Sequence, residues 1–139
     1  MLHLVKLAVG IRDIAHLRDV QAMRAASRPP LRHQTRQIPR RADELCDGGS
    51  IYWVIGGAVV VRQRIVDVIE DRWDDDTKCA GLVLDPLLVP VAATPMRAFQ
   101  GWRYLQPEAA PADIGAASVL GDGELPASLQ RELRALCLL

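Results

Sequence analysis

The segment Gly48-Gly49-Ser50-Ile51-Tyr52-Trp53-Val54-Ile55-Gly56-Gly57-Ala58-Val59-Val60-Val61-Arg62-Gln63-Arg64-Ile65 decides the fold. Two runs of β-branched and aromatic residues flank Gly56-Gly57, a pair suited to the positive φ of a tight hairpin turn. This predicts strands over residues 51–55 and 58–69. The second run begins apolar on both faces, the mark of a central strand. Further along, alternation places Arg62 and Arg64 on one face and Gln63 and Ile65 on the other. Just before the hairpin, Arg40-Arg41-Ala42-Asp43-Glu44-Leu45 reads as a helical turn, followed by a turn at Asp47-Gly48-Gly49.

The neighbouring segments extend this pattern. Residues 2–9 are apolar apart from His3 and Lys6 and read as a first strand. Residues 13–26 carry Ile14, Leu17, Val20 and Met23 at intervals of three, which predicts a helix with those four on its buried face. Ser27-Arg28-Pro29-Pro30 stops it, since neither proline can donate a backbone hydrogen bond. Residues 31–38 form an edge strand or an ordered loop. After an acidic turn at Asp74-Asp75-Asp76-Thr77, residues 79–84 complete a three-strand meander that Asp85-Pro86 ends. Residues 87–93, with Pro90 inside, read as an edge or irregular strand. Residues 99–105 are a last strand with Trp102 and Tyr104 on one face. Residues 126–138 are a terminal helix whose stripe includes Leu125, Leu129, Leu133 and Leu136.

The expected architecture is therefore a single α+β domain over residues 1–139. It has a small, twisted, mostly antiparallel sheet or a small β-barrel, with a helix near each end of the chain. No apolar run is long enough to span a membrane. The first ten residues lack the basic start and small-residue cleavage site of a leader, so a cytoplasmic location is expected. Cys46, Cys79 and Cys137 have no metal-ligand spacing, and the three aspartates lack the glycine and distal glutamate of a calcium loop, so neither metal nor cofactor is expected.

The formal net charge of zero conceals an asymmetry: residues 1–64 hold eleven Lys/Arg against five Asp/Glu, and residues 65–139 hold six against twelve. Fifteen of the seventeen basic residues are arginine, which either reflects a GC-rich genome or supplies bidentate phosphate contacts. Arg24, Arg28, Arg32, Arg36 and Arg40 recur every four residues with no acid between them, yet Pro29, Pro30 and Pro39 forbid a continuous helix. The run therefore lies on an extended, exposed segment.

Several motifs together resemble an alphaproteobacterial family designated domain of unknown function 1489. They are His33-x-Thr35-Arg36, Arg41-Ala42-Asp43-Glu44-Leu45, Gly48-Gly49-Ser50-x-Tyr52-Trp53-Val54-Ile55, Arg62-Gln63-x-Ile65 and the run from Arg97 to Leu105, with Leu125-Pro126 and Glu132-Leu133 near the end. The resemblance covers essentially the whole chain. It departs from the family pattern at Gly56, where a basic residue is usual, and at Cys137, where glycine is usual. The family implies a shared fold and no particular activity. More distantly, a helical turn, Gly-Gly-Ser, an aromatic strand and a strand ending Arg-Ile-Val-Asp-Val are similar to the PUA-like superfamily with its ASCH and EVE branches. That similarity implies a small barrel with helices at its openings and a cleft that takes RNA or modified bases, although function must be argued from the site.

The candidate ligand-binding residues are Arg36, Arg40, Arg41, Tyr52, Trp53, Arg62, Gln63, Arg64, Gln100, Trp102 and Arg103. Adjacent strand residues face opposite ways, so Tyr52 and Trp53 cannot both be core in a one-sided sheet, and one of them is expected to face a cleft or a covering helix. Such rings stack bases, arginines follow phosphate, and glutamine amides read base edges. The alternative is that the rings fill the core, Gln63 bonds backbone at a strand edge, and the arginines pair with Asp43, Glu44, Asp67 and Glu70. Two other functions stay open. One is a small hydrolase using His33, Asp43 and Glu44, although neighbouring carboxylates on a helical turn point about 100° apart. The other is a protein-interaction module using the terminal helix. The leading expectation is binding of RNA or a nucleotide-like ligand without catalysis.

Overall fold

A computed structural model of the chain describes residues 1–97, 99 and 101–114. Its elements are β1 (His3–Leu7), α1 (Ile14–Ser27), β2 (Arg32–Thr35), α2 (Ala42–Cys46), β3 (Ser50–Ile55), β4 (Ala58–Arg72), β5 (Lys78–Pro95) and β6 (Trp102–Leu105), followed by a 3-10 turn at Pro107–Ala109. The terminal helix expected over 126–138, and Cys137 with it, lie outside the described residues.

The hairpin forms as its sequence dictates. Gly56 and Gly57 take φ of 63° and 85°, and Tyr52 and Trp53 face Arg62 and Val61 across the β3–β4 pair. The six strands form one sheet in the order β2-β5-β4-β3-β1-β6. Four of its five pairings are antiparallel, and β1 runs parallel to β3 after a crossover through α1, β2 and α2.

The Asp85-Pro86 break does not occur, and β5 continues to Pro95. Asp85, Pro86 and Leu87 fill the gap between Leu84 and Leu88, where β4 has only Arg64 between Ile65 and Gln63. A bulge of this kind removes Pro86 from the ladder, so its missing N–H costs nothing there. The β4–β5 register shifts three times, once beside Val59, and Val59 and Val61 end up in different hydrophobic clusters despite their spacing of two.

These irregularities and the natural twist curl the sheet into a mixed half-barrel. Its two edge strands come within reach of each other: Trp102 Nε1–H on β6 donates to Thr35 Oγ1 on β2 at 3.1 Å. Inside the curl, Leu4, Ile51, Trp53, Val61, Ile65 and Leu82 pack with Ile14 and Leu17 of α1 and Leu45 of α2. On the other face, Val5, Tyr52, Val54, Val59 and Val91 are covered by Met96, Phe99, Leu105 and Ala110. The sheet is thus two-sided at β3.

Helix α1 begins at Asp13, whose Oδ1 accepts from His16 N–H at 2.7 Å. Its buried residues are Ile14, Leu17 and Gln21, while Met23 is 69% exposed. The reading that buried Met23 fails on helix geometry. Repeated steps of three drift back around the axis by about 60° each, whereas steps of three then four stay on one side. Between α2 and β3, Gly49 is obligatory, because a Cβ there would lie 2.1 Å from the Leu2 carbonyl oxygen and 2.4 Å from that of Leu45.

Candidate functional site

The hairpin aromatics are both buried, Tyr52 at 4% exposure and Trp53 at 5%. Neither ring faces outward, because the curl covers one face and the segment after β5 covers the other. Gln63 is fully buried in the centre of the sheet, not at an edge. Its Nε2 donates to Gln21 Oε1 at 2.7 Å and to the Asp85 carbonyl at 2.8 Å. Its Oε1 accepts from Gln21 Nε2 at 2.8 Å and Trp53 Nε1 at 3.1 Å. All of its polar atoms are engaged, so this amide ties α1, β3 and β5 together.

The arginines divide into separate groups. Arg62 forks onto Asp113 with two bonds of 2.7 Å and donates to Ser50 Oγ at 3.0 Å. None of the four acids named from sequence is its partner. The cross-strand pairing of Tyr52 with Arg62 puts it on the face away from Trp53 and Gln63. Beside it, His3 Nδ1 accepts from Ser50 N–H at 3.0 Å and meets Tyr52 edge-on. Burial, then the Arg62 charge, lower the His3 pKa, and burial raises that of Tyr52. Arg41 pairs with Glu44 through two 2.6 Å bonds, and its guanidinium lies 5.6 Å from the Tyr104 ring centre. Arg103 lies 4.5 Å from the Phe99 ring centre. Arg40 and Arg64 are exposed and form no ion pair among the described residues. Gln100 lies outside the described residues.

Arg36 and Trp102 do come together. They line a cleft of about 640 Å³ with Lys6, His33, Trp73 and Gly101. A second cleft of about 350 Å³, lined by Arg24, Arg28, Arg32 and Leu31, shares His33, Gln34 and Trp73 with the first. The two form a groove running from the end of α1 across edge strand β2 to the β2–β6 seam. Four members of the period-four arginine run, Arg24, Arg28, Arg32 and Arg36, line it. Arg28 is paired with Asp74 and Arg32 with Asp71. Lys6, Arg24 and Arg36 have no carboxylate partner among the described residues.

His33 stands where the clefts meet. Its Nε2 is the one buried side-chain polar atom without a hydrogen-bond partner among the described residues, and its ring meets Trp53 edge-on at 5.4 Å. Burial first, then the charges of Lys6 and Arg24, push its pKa down to about 4, so the imidazole is neutral at neutral pH. Burial also lowers the Lys6 ammonium. The hydrolase constellation does not assemble, because Glu44 is engaged by Arg41, Asp43 is exposed, and His33 bonds to neither. Among the described residues, no group of three His, Cys, Asp or Glu is placed to hold a metal ion, and no helix is long and apolar enough to cross a membrane. Cys46 and Cys79 are free thiols whose pKa burial raises.

Sequence reasoning did not single out Lys6, Arg24 and Trp73, which line the groove. The signals were present in the unbroken arginine periodicity and in a lone lysine within an apolar strand. Fold and groove together define an α+β half-barrel protein with a cationic, tryptophan-lined cleft along one sheet edge. Residues 4–139 match the family described as protein of unknown function (DUF1489), and the chain belongs to that family. No curated protein and no solved structure matches it.

Proposed function

We propose that this is a cytoplasmic module that binds single-stranded RNA or a modified nucleotide on a PUA-like barrel, along the groove over β2. The observation that carries this reading is the arginine run, which has no rationale as a helical stripe. In the folded chain Arg24 and Arg36 line one groove with Lys6, Trp73, Trp102 and the unpartnered His33. Cations without carboxylates follow a phosphate backbone, and tryptophan faces stack bases without regard to sequence. Half-barrel curvature and a helix packed into the curl support the PUA-like assignment. Arg103 lies over Phe99 on the face away from the groove, and Arg40 lines neither cleft. Tyr52, Trp53, Arg62 and Gln63 serve the fold in this reading.

The test is a fluorescence titration with a ten-nucleotide single-stranded RNA across a salt series. Neutralising three phosphates through Lys6, Arg24 and Arg36 gives a slope of log K against log salt of about −2. Arg24→Glu combined with Arg36→Glu should abolish binding, and Trp102→Ala should cost about 1–3 kcal/mol. Absence of salt-dependent binding to RNA, with the protein folded, would overturn the proposal.

A further inference from the structure

A smaller cavity of about 170 Å³ lies behind the groove, under α1. Its walls are mixed, with Ala8, Ile11, Leu17, Leu31, Trp53 and Leu84 supplying the apolar part. Five polar side chains share the wall, and two of them are already satisfied. Gln21 is engaged by Gln63, and Arg32 by Asp71 and the Arg28 and Pro30 carbonyls. What remains is Lys6, whose one side-chain contact is a 3.4 Å approach to the Leu7 carbonyl, together with Arg24 and His33. No carboxylate lines the cavity.

Free hydrogen-bonding capacity here is therefore two cations and one orphaned imidazole nitrogen, set beside the apolar side chains of the same wall. Such a wall repels cations and leaves a neutral polar ligand without matching acceptors. It suits an apolar body that ends in a single anionic head. The size agrees, since a hydrocarbon-lined cavity of about 150 Å³ accepts a benzene ring. Both cations act on the His33 ring, so their field converges on the same spot.

We propose that this cavity is a binding site for a small organic acid, its apolar body against Trp53 and Leu17 and its carboxylate on Lys6, Arg24 and His33. The site adjoins the RNA groove, with which it shares Lys6, Arg24, Leu31, Arg32 and His33, and it does not depend on that reading.

The three tryptophans make the test specific. Trp53 lines the cavity, whereas Trp73 and Trp102 line the groove. The full chain is titrated with benzoate while the three indole N–H signals are followed by nitrogen-edited NMR. The expected result is a saturable shift of Trp53 with Trp73 and Trp102 unmoved. Benzamide, which lacks the charge, and inorganic phosphate, which lacks the apolar body, should bind at least about tenfold more weakly. Lys6→Met should weaken benzoate about tenfold while the protein keeps its fold. Leu17→Trp should fill the cavity and abolish benzoate binding. If that variant does not fold, Lys6→Met decides alone. Benzoate that leaves Trp53 unmoved, benzamide or phosphate that binds as tightly as benzoate, or a Lys6→Met protein of unchanged affinity would each overturn the proposal. Failure of the RNA titration would leave it intact, because RNA is read out at Trp73 and Trp102.

Discussion

Replacing Gln63 with leucine separates two roles for this amide, because a strut of the fold and a reader of base edges fail differently. The change removes four hydrogen bonds, two with Gln21, one with Trp53 and one with the Asp85 carbonyl. Gln21 is buried as well, so its amide loses both bonds with little access to water. The Trp53 N–H and the half-buried Asp85 carbonyl lose one bond each, and each orphaned buried group costs about 1–3 kcal/mol. With the loss at Gln21 the total is about 3–6 kcal/mol, a large part of the about 5–15 kcal/mol that holds a domain together. Gln21→Leu alone should cost less, about 1–2 kcal/mol, since each polar atom of Gln63 keeps one partner. The double variant should be hardly worse than Gln63→Leu, so the cycle should show coupling of about 1 kcal/mol or more. Urea unfolding followed by tryptophan fluorescence and far-ultraviolet circular dichroism measures all three. A Gln63→Leu protein of near wild-type stability, or an additive cycle, would refute the strut and return Gln63 to the ligand.

Three further outcomes follow from the same geometry. Gly49→Ala forces a Cβ onto two backbone oxygens and should destabilise by about 4 kcal/mol or more, seen as loss of soluble protein or of the thermal transition. His33 has its pKa lowered from 6.5 to about 4, so between those values the unfolded chain binds more protons than the folded one. Its contribution is full above pH 6.5 and is lost as pH falls toward 4, by roughly 3 kcal/mol, and a His33→Phe protein should show a flatter dependence of unfolding free energy on pH. Arg62→Met breaks the fork to Asp113 and should cost about 1 kcal/mol, since that pair is partly exposed, with no change in RNA affinity because Arg62 lies on the face away from the groove.

The candidate site was only partly legible in the sequence. Arg36 and Trp102 were named from composition and strand alternation, and they do line one cleft. Tyr52 and Trp53 were named because neighbouring strand residues face opposite ways, which is correct. The expectation was that one of them faces a cleft or a covering helix; Trp53 packs with Ile14 and Leu17 of α1, while the covering of Tyr52 depends on residues more than forty positions further along, such as Phe99 and Leu105. Gln63 was legible as a polar group beside core. Its partner Gln21, 42 positions away, was not.

Short-range physics determined what the sequence determined alone. Two glycines with positive φ made the hairpin, prolines ended α1, an aspartate capped it, and two-residue alternation put Arg62 and Gln63 on opposite faces. Each of these depends on atoms within a few residues of one another. Only the tertiary structure decided that β5 continues through Pro86, because the bulge that removes the proline from the ladder depends on the register with β4. It also decided that Arg62 meets Asp113, 51 residues later, and that Trp102 reaches Thr35 across the seam, 67 residues back. Those meetings are products of sheet curvature, and curvature sums small twists and bulges over six strands, so no local window of sequence contains it.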